Sequence, residues 1–109
     1  MHKSNELYEV KCTINDLEYQ SVFEGYMMKK HIPDILKTNC FTNIYFVREE
    51  EGEATYRISY FSENKDNIAK YLKEFAPTLR DDFLKNIDTK LVNVSRRFAS
   101  CTSFSYNTV

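Results

Sequence analysis

The two prolines of this chain, Pro33 and Pro77, lie 44 residues apart, and each interrupts an amphipathic helical pattern in the same way. A proline cannot donate a backbone hydrogen bond, and it disfavours helical angles at the residue before it. Each proline therefore predicts that a helix ends and that a short new helical turn begins. Because a strand pattern stands on both sides of each such unit, the chain divides into two similar halves. This repeated order constrains the fold strongly.

Four segments alternate between apolar and polar residues, as half-buried strands do: residues 7–14, 41–48, 54–61 and 90–98. Two helices are predicted between them, one from the cap at Asn15-Asp16 to about His31, and one over residues 65–75 that is capped by Ser62 or Asn64. The polar residues 49–53 suit a hairpin loop.

The order βαββαβ predicts an α+β, ferredoxin-like fold, in which two helices cover one face of a four-stranded antiparallel sheet. Asn39 is expected to end the first proline turn, because asparagine tolerates left-handed backbone angles. A chain of 109 residues is expected to form a single domain, with residues 100–109 as a flexible tail or an extension of the last strand. The residues expected beneath the helices are Tyr8, Val10, Cys12, Ile14, Tyr56, Ile58 and Tyr60.

The opposite face of the sheet is predicted to be polar, with Glu9, Lys11, Thr13, Thr55, Arg57 and Ser59. The last strand adds to it either Asn93, Ser95 and Arg97 or Val92, Val94 and Phe98. Such a face can be solvated. It can also meet its copy from a second subunit and close a dimeric α/β barrel around a polar cavity. Because rings such as Phe61 would be exposed in a monomer, we expect a homodimer.

The composition excludes several classes of function. The formal net charge of −1 argues against nucleic-acid binding, which needs a strong basic excess. Neither a signal sequence nor a long apolar run is visible, so no membrane contact is predicted. The three cysteines form no CxxC pair and indicate reduced thiols in a cytoplasmic protein. No motif for a metal or a cofactor is present, and we expect neither.

His31, one of only two histidines, is the candidate catalytic residue. At the end of a helix it can interact favourably with the helix dipole and bind a free carbonyl, which is a structural role. It can also transfer a proton or anchor a ligand, because an imidazole titrates near neutral pH. Asp34 could orient its ring or cap the new turn. Arg57, Tyr60 and Arg97 are the candidate ligand-binding residues.

Three strings suggest a family: His31-Ile32-Pro33-Asp34-Ile35-Leu36, then Thr38-Asn39-Cys40-Phe41, and later Tyr71-Leu72-Lys73-Glu74-Phe75-Ala76-Pro77-Thr78-Leu79-Arg80. With Tyr60-Phe61, they resemble the domain of unknown function 4286 family over about residues 8–98. The family pattern has a glycine before the phenylalanine where this chain has Asn39-Cys40. The resemblance implies a fold of the dimeric α/β-barrel superfamily and dimerisation. It implies no reaction, because the activity of the family is unassigned.

Two functions follow as hypotheses. The first is a homodimeric module whose polar cavity between the subunits holds a small molecule. The alternative is a cofactor-independent oxygenase or isomerase that acts on a small aromatic or acidic metabolite, with Tyr60, Arg57 and His31 as polar contacts. The alternative rests on analogy with other proteins of this fold. An RNA-binding sheet shares the βαββαβ order, but its exposed aromatic residues and basic surface are missing here.

Overall fold

The computed structural model describes residues 2–51 and 53–106. Its strands in these residues are β1 (His2–Ile14), β2 (Asn43–Arg48), β3 (Ala54–Ser62) and β4 (Val92–Phe104). They form one antiparallel sheet in the order β2-β3-β1-β4. The predicted ferredoxin-like α+β fold is confirmed.

Two helical segments connect the strands. The first contains a 3-10 turn (Leu17–Tyr19), α1 (Gln20–Tyr26), a π-helical turn (Met27–His31) and α2 (Ile32–Leu36). The second contains α3 (Lys65–Lys70), a π-helical turn (Tyr71–Phe75) and α4 (Ala76–Asn86). None of the described helices combines the length and the apolar composition that a membrane crossing needs.

The residues predicted as caps lie at the ends of these segments. The Asp16 carboxylate accepts a hydrogen bond from the backbone N–H of Glu18 at 3.0 Å. The Asn64 side chain accepts one from the N–H of Asn67 at 2.9 Å. After α2, Asn39 has a φ of 60°, in the left-handed region that asparagine tolerates. All three predictions are confirmed.

The predicted helix breaks at the prolines are wrong, because each helical path continues through a π-turn. The N–H of Ile32 bonds to the carbonyl of Met27, five residues back, and Ile32 keeps helical angles of −66° and −45°. The N–H of Ala76 bonds to Tyr71 in the same way. A proline ring inside an α-helix clashes with the carbonyl four residues back, and the wider turn moves that carbonyl aside. The helix therefore accommodates the proline without ending.

The core lies between the helices and one face of the sheet, as predicted. All but one of the sheet residues expected there are buried, and the remaining one, Val10, packs partly buried against the same cluster. The helices contribute Phe23, Met27, Ile35 and Ile68. The alternation along β1 and β3 thus identified the buried face correctly.

β1 and β4 are longer than the alternation predicts. β1 begins at His2 rather than at residue 7, and β4 runs from Val92 to Phe104 rather than over 90–98. The two strands keep pairing from Asn5↔Cys101 to His2↔Phe104, beyond Glu6, which faces the last β3 residue, Ser62. Polar side chains pair across the strands there, as Ser4 Oγ and Thr102 Oγ1 do at 3.5 Å, so the sequence carries little apolar periodicity. Residues 107–109 of the predicted tail or extension lie outside the described residues.

Candidate ligand-binding site

A pocket of about 50 Å³ opens between the helices and the sheet, at the first π-turn. We call it the helix–sheet pocket and define it by its polar lining: His31, Tyr8, Tyr60, Tyr71, Arg80 and Arg96. Apolar side chains such as Met27 and Phe83 complete its wall. A water molecule needs roughly 10–15 Å³ measured in this way, so the pocket has room for about four water-sized groups, as many as acetate has heavy atoms.

The repeated architecture brings these residues together. His31 ends the first π-turn, and Tyr71 begins the second. Tyr8 and Tyr60 are directly paired neighbours on β1 and β3, and their rings stack with centroids 5.5 Å apart. Arg96 lies on β4 opposite Val10, on the helix-facing side of the sheet, and Arg80 comes from α4.

Two tyrosine hydroxyls in the pocket form no hydrogen bond with any described residue. Tyr8 accepts a hydrogen bond from Arg80 Nη2 at 3.4 Å, but within the described residues Tyr60 and Tyr71 form none through their hydroxyls. Among the described residues, every side-chain oxygen or nitrogen that is fully shielded from solvent has a hydrogen-bond partner. The two unpartnered hydroxyls are therefore not fully shielded, and they face the open volume of the pocket. Burial raises the pKa of both phenols, which keeps them protonated as hydrogen-bond donors.

The two arginines of the pocket are also without an acidic partner among residues 2–51 and 53–106. Arg48, Arg57 and Arg97 each pair with a glutamate, whereas no carboxylate of the described residues lies within salt-bridge distance of Arg80 or Arg96. Burial raises the pKa of Tyr71, and the positive charges of Arg80 and Arg96 both oppose that rise. Both guanidinium groups therefore act on the same part of the pocket.

His31 lies between two aromatic rings, with centroid distances of 5.6 Å to Tyr26 and 5.4 Å to Phe83. Burial lowers the pKa of His31 to about 4, so its imidazole is neutral at pH 7. The suggested contact with Asp34 does not form, because Asp34 binds Lys30 Nζ at 2.9 Å. The polar neighbour of the ring is Tyr26, whose hydroxyl oxygen is 3.5 Å from His31 Nδ1.

Arg57 and Arg97 lie together on the open face of the sheet, where Glu9 joins them. The Glu9 carboxylate accepts hydrogen bonds from Arg97 Nε at 2.8 Å, Arg57 Nη1 at 3.3 Å and Ser59 Oγ at 3.3 Å. Asn93, Ser95 and Arg97 are the β4 residues on this face, since they pair with Thr13, Lys11 and Glu9. Tyr60 points to the other side because side chains alternate along β3. The structure thus separates Tyr60 from the two predicted arginines and places it with His31.

Sequence reasoning missed most of the pocket. Arg96 shares the strand face of Val94 and Phe98, so the alternation along β4 could have identified its side. Arg80 lies in α4, beyond the proline at which the helix was expected to end. Among the described residues, no three His, Cys, Asp or Glu side chains are grouped so that they could hold a metal ion.

A family model described as "Domain of unknown function (DUF4286)" matches residues 6–100. The chain belongs to this family. A comparison of the DUF4286 chain with curated proteins finds no match.

Solved structures share the fold of the DUF4286 chain at low sequence identity. A dimeric ferredoxin-like protein from an uncultured marine organism is 11% identical with a TM-score of 0.69, and the match covers 94% of this chain and 99% of that protein. A conserved protein of unknown function from Bacteroides thetaiotaomicron, described as a possible oxidoreductase, is 13% identical with a TM-score of 0.66, covering 91% and 99%. A variant of SnoaB, a cofactor-independent oxygenase from Streptomyces nogalater, is 13% identical with a TM-score of 0.60, covering 96% of both chains. These likenesses show that the chain shares its fold with these proteins.

Proposed function

We propose that the DUF4286 chain is a homodimeric protein that binds a small acidic molecule in the helix–sheet pocket. The observation that supports this most directly is the convergence of Arg80, Arg96 and the free hydroxyls of Tyr60 and Tyr71 on one pocket. The polar cavity between two subunits and the cytoplasmic location stay predictions. The charges of Glu9, Arg57 and Arg97 on the open face already pair with one another, so the pocket within one chain is the better candidate for the ligand.

The chemistry of the pocket favours an anion. A guanidinium group binds a carboxylate or another oxyanion through two parallel N–H bonds, and phenol hydroxyls donate further hydrogen bonds to such oxygens. His31 is neutral at pH 7, so the positive charge of the pocket comes from the two arginines. The aromatic walls suit the carbon skeleton of a small organic acid.

The homodimer is supported by the open face of the sheet. Tyr45 and Val47 on β2 are 55% and 48% exposed there, and the Tyr45 ring packs edge-on against Phe61 with centroids 5.6 Å apart. A second copy would cover this apolar strip. It would also cover the paired charges around Glu9, which are tolerated at an interface because they satisfy one another.

Ligand binding is tested by titrating the labelled protein with acetate and benzoate, and with acetamide as a neutral match for acetate, while amide resonances are recorded by NMR. We expect both acids to shift the amides of His31 and Tyr71 at millimolar concentration, and acetamide to leave them unchanged. Arg96→Gln should weaken acid binding at least fivefold. Arg48→Gln is the matched control, since Arg48 is an exposed arginine outside the pocket. Equal responses to acetate and acetamide, or none at all, would contradict the proposal.

The homodimer is tested by sedimentation at micromolar concentration. Val47→Glu should shift the protein toward the monomer, because it places a charge on the apolar strip. Val22→Glu, at a 50% exposed position of α1, should leave the dimer intact. Arg57→Glu is also expected to weaken the dimer, although it removes contacts to Glu9 and Glu49 within the chain as well. A native protein that sediments as a monomer would rule out the dimer.

A second candidate function is a cofactor-independent oxygenase or isomerase that acts on a small aromatic or acidic metabolite. The neutral imidazole of His31 in the pocket favours it, because such a group can accept a proton at pH 7. The test is exchange of the carbon-bound protons of small acids with deuterated water, together with oxygen uptake. Loss of either activity in His31→Phe would support the enzyme, and absence of both in the native protein would count against it.

A further inference from the structure

A line of polar contacts runs from the surface of α4 to the helix–sheet pocket. The Tyr26 hydroxyl donates to Asp82 Oδ2 at 2.6 Å, and its oxygen lies 3.5 Å from His31 Nδ1. The three side chains come from α1, the first π-turn and α4, so only the packing of the two helical segments assembles them.

The proton positions in this line follow from counting donors. Tyr26 has one hydroxyl proton, and its short contact to a carboxylate uses that proton. Asp82 is held in its charged form, because the hydrogen bond from Tyr26 and the nearby ammonium of Lys30 both lower its pKa. The Tyr26 oxygen therefore presents only lone pairs to His31. This arrangement stabilises the neutral imidazole that carries its proton on Nδ1.

The other ring nitrogen of His31 then has a free lone pair. Within the described residues, Nε2 forms no hydrogen bond. It is also not fully shielded from solvent, because every fully shielded side-chain nitrogen or oxygen there has a partner. Because His31 lines the helix–sheet pocket, Nε2 is available to a molecule bound there. At 3.5 Å the contact between Tyr26 and Nδ1 is long, so it orients the ring electrostatically more than by a strong hydrogen bond.

We propose that Tyr26 and Asp82 hold His31 as the Nδ1–H tautomer, so that Nε2 accepts the hydroxyl proton of a small hydroxy acid as a hydrogen bond. The acid would lie with its carboxylate toward Arg80 and Arg96. This proposal rests on the ligand-binding pocket proposed above and narrows its ligand class. Tyr26 and Asp82 are positioning residues, and His31 is the group that contacts the ligand.

The repeat within the fold supports a special role for this line. Phe75 occupies the place in the second π-turn that His31 occupies in the first, 44 residues earlier, and Lys70 stands at the place of Tyr26. A ring without nitrogen is therefore compatible with the packing at this position of the turn. Within the described residues, a line from Asp82 through Tyr26 to an imidazole is found at the first π-turn and not at the second.

The first test measures the tautomer of His31 directly, by ¹⁵N NMR of the imidazole at pH 7 without any ligand. We expect the proton on Nδ1. Tyr26→Phe should shift the population toward the Nε2–H tautomer, and Asp82→Asn should do so to a smaller extent. Asp34→Asn is the matched control. It also removes a nearby carboxylate, but the carboxylate of Asp34 binds Lys30 and not Tyr26. A native His31 with its proton on Nε2 would overturn the proposal.

The second test compares the binding of glycolate and acetate, which differ by one hydroxyl group. We expect native protein to bind glycolate about fivefold to tenfold more tightly, as one added hydrogen bond allows. His31→Phe and Tyr26→Phe should lose this preference while acetate still binds, and His31→Gln should keep part of it. An unchanged preference in His31→Phe would overturn the role of Nε2. If neither acid binds, the proposed ligand binding is wrong, and so is the role of Nε2 in it. The ¹⁵N measurement of the tautomer then still tests whether Tyr26 and Asp82 orient His31.

Discussion

The carboxylate of Glu9 and the guanidinium of Arg97 meet across two neighbouring strands on the open face of the sheet, with Oε1 and Nε 2.8 Å apart. Glu9 is only 7% exposed, although it lies on the face without helices. Arg57 on β3 reaches the same oxygen from the other side at 3.3 Å. Glu9 therefore links the side chains of β3, β1 and β4 at the centre of this face. The hydrogen bond from Arg97 is the main reason why the pKa of Glu9 is lowered.

Glu9→Gln is expected to lower the free energy of unfolding at pH 7 by about 1 kcal/mol, because Arg97 is exposed and water compensates for part of the loss. A carboxyl group with a lowered pKa in the folded state stabilises the protein above its ordinary pKa of 4.5, and the contribution disappears as the pH falls through the folded value. The difference between the native protein and Glu9→Gln should therefore vanish in acid. Urea unfolding from pH 7 to pH 3 measures it.

Glu51→Gln provides the control for that experiment, since Glu51 is an exposed glutamate outside the open face of the sheet. A difference between native protein and Glu9→Gln that stays constant down to pH 3 would show that the charge of Glu9 does not stabilise the fold.

Gly25 lies inside α1, where no neighbouring atom lies within 4 Å of an added Cβ. Gly25→Ala is expected to raise the free energy of unfolding by roughly 0.5–1 kcal/mol, because alanine loses less conformational entropy in a helix. Thermal unfolding with and without the substitution measures this. A loss of stability would mean that the glycine is required for a close approach, for example by a second subunit.

The three cysteines should differ sharply in reactivity. Burial raises the pKa of the Cys12 thiol to about 12, and both Cys12 and Cys40 are buried, whereas Cys101 on β4 is partly exposed. The thiolate is the reactive form, so a disulfide reagent at pH 8 should modify one cysteine quickly in the native protein and all three after unfolding. Mass spectrometry should place the fast modification on Cys101. Fast modification of Cys12 would show that the core opens readily.

The part of the fold that sequence predicts well is the part that has one buried face. Tyr56 and Ile58 were assigned correctly because a strand between a core and solvent must alternate with a period of two. The π-turns were not predicted because a proline ordinarily ends a helix, as was expected at Pro33 and Pro77. A turn that is wider by one residue does not visibly change the spacing of the apolar residues.

The candidate site was predicted only in part, for a related reason. His31 was a candidate because the chain has only two histidines, and Tyr60 was a candidate because it is an aromatic residue on a predicted strand. Tyr26 and Asp82 lie 56 positions apart in the sequence, and only the packing of the two helical segments places them in contact. Contacts of this kind depend on the tertiary structure, so no local spacing predicts them.

His31 should make stability depend on pH in a window where few side chains titrate. Burial lowers its pKa from 6.5 to about 4, against the opposing charges of Asp82 and Asp34 and with the help of Lys30. Between these values the unfolded chain binds a proton that the folded chain does not, so stability falls as the pH is lowered from about 6.5. The expected loss from pH 7 to pH 5 is about 2 kcal/mol.

His31→Phe should remove most of this loss, because a phenyl ring can stack between Tyr26 and Phe83 and has nothing to protonate. Urea unfolding at pH 5, 6 and 7 compares the slopes of the two proteins, above the range where Glu9 titrates. Asp82→Asn should leave the loss between pH 7 and pH 5 unchanged, because the folded His31, with a pKa of about 4, is already neutral over this range. If the native protein and His31→Phe lose stability in parallel, His31 is hydrated rather than buried in the folded chain, and its pKa must lie near 6.5.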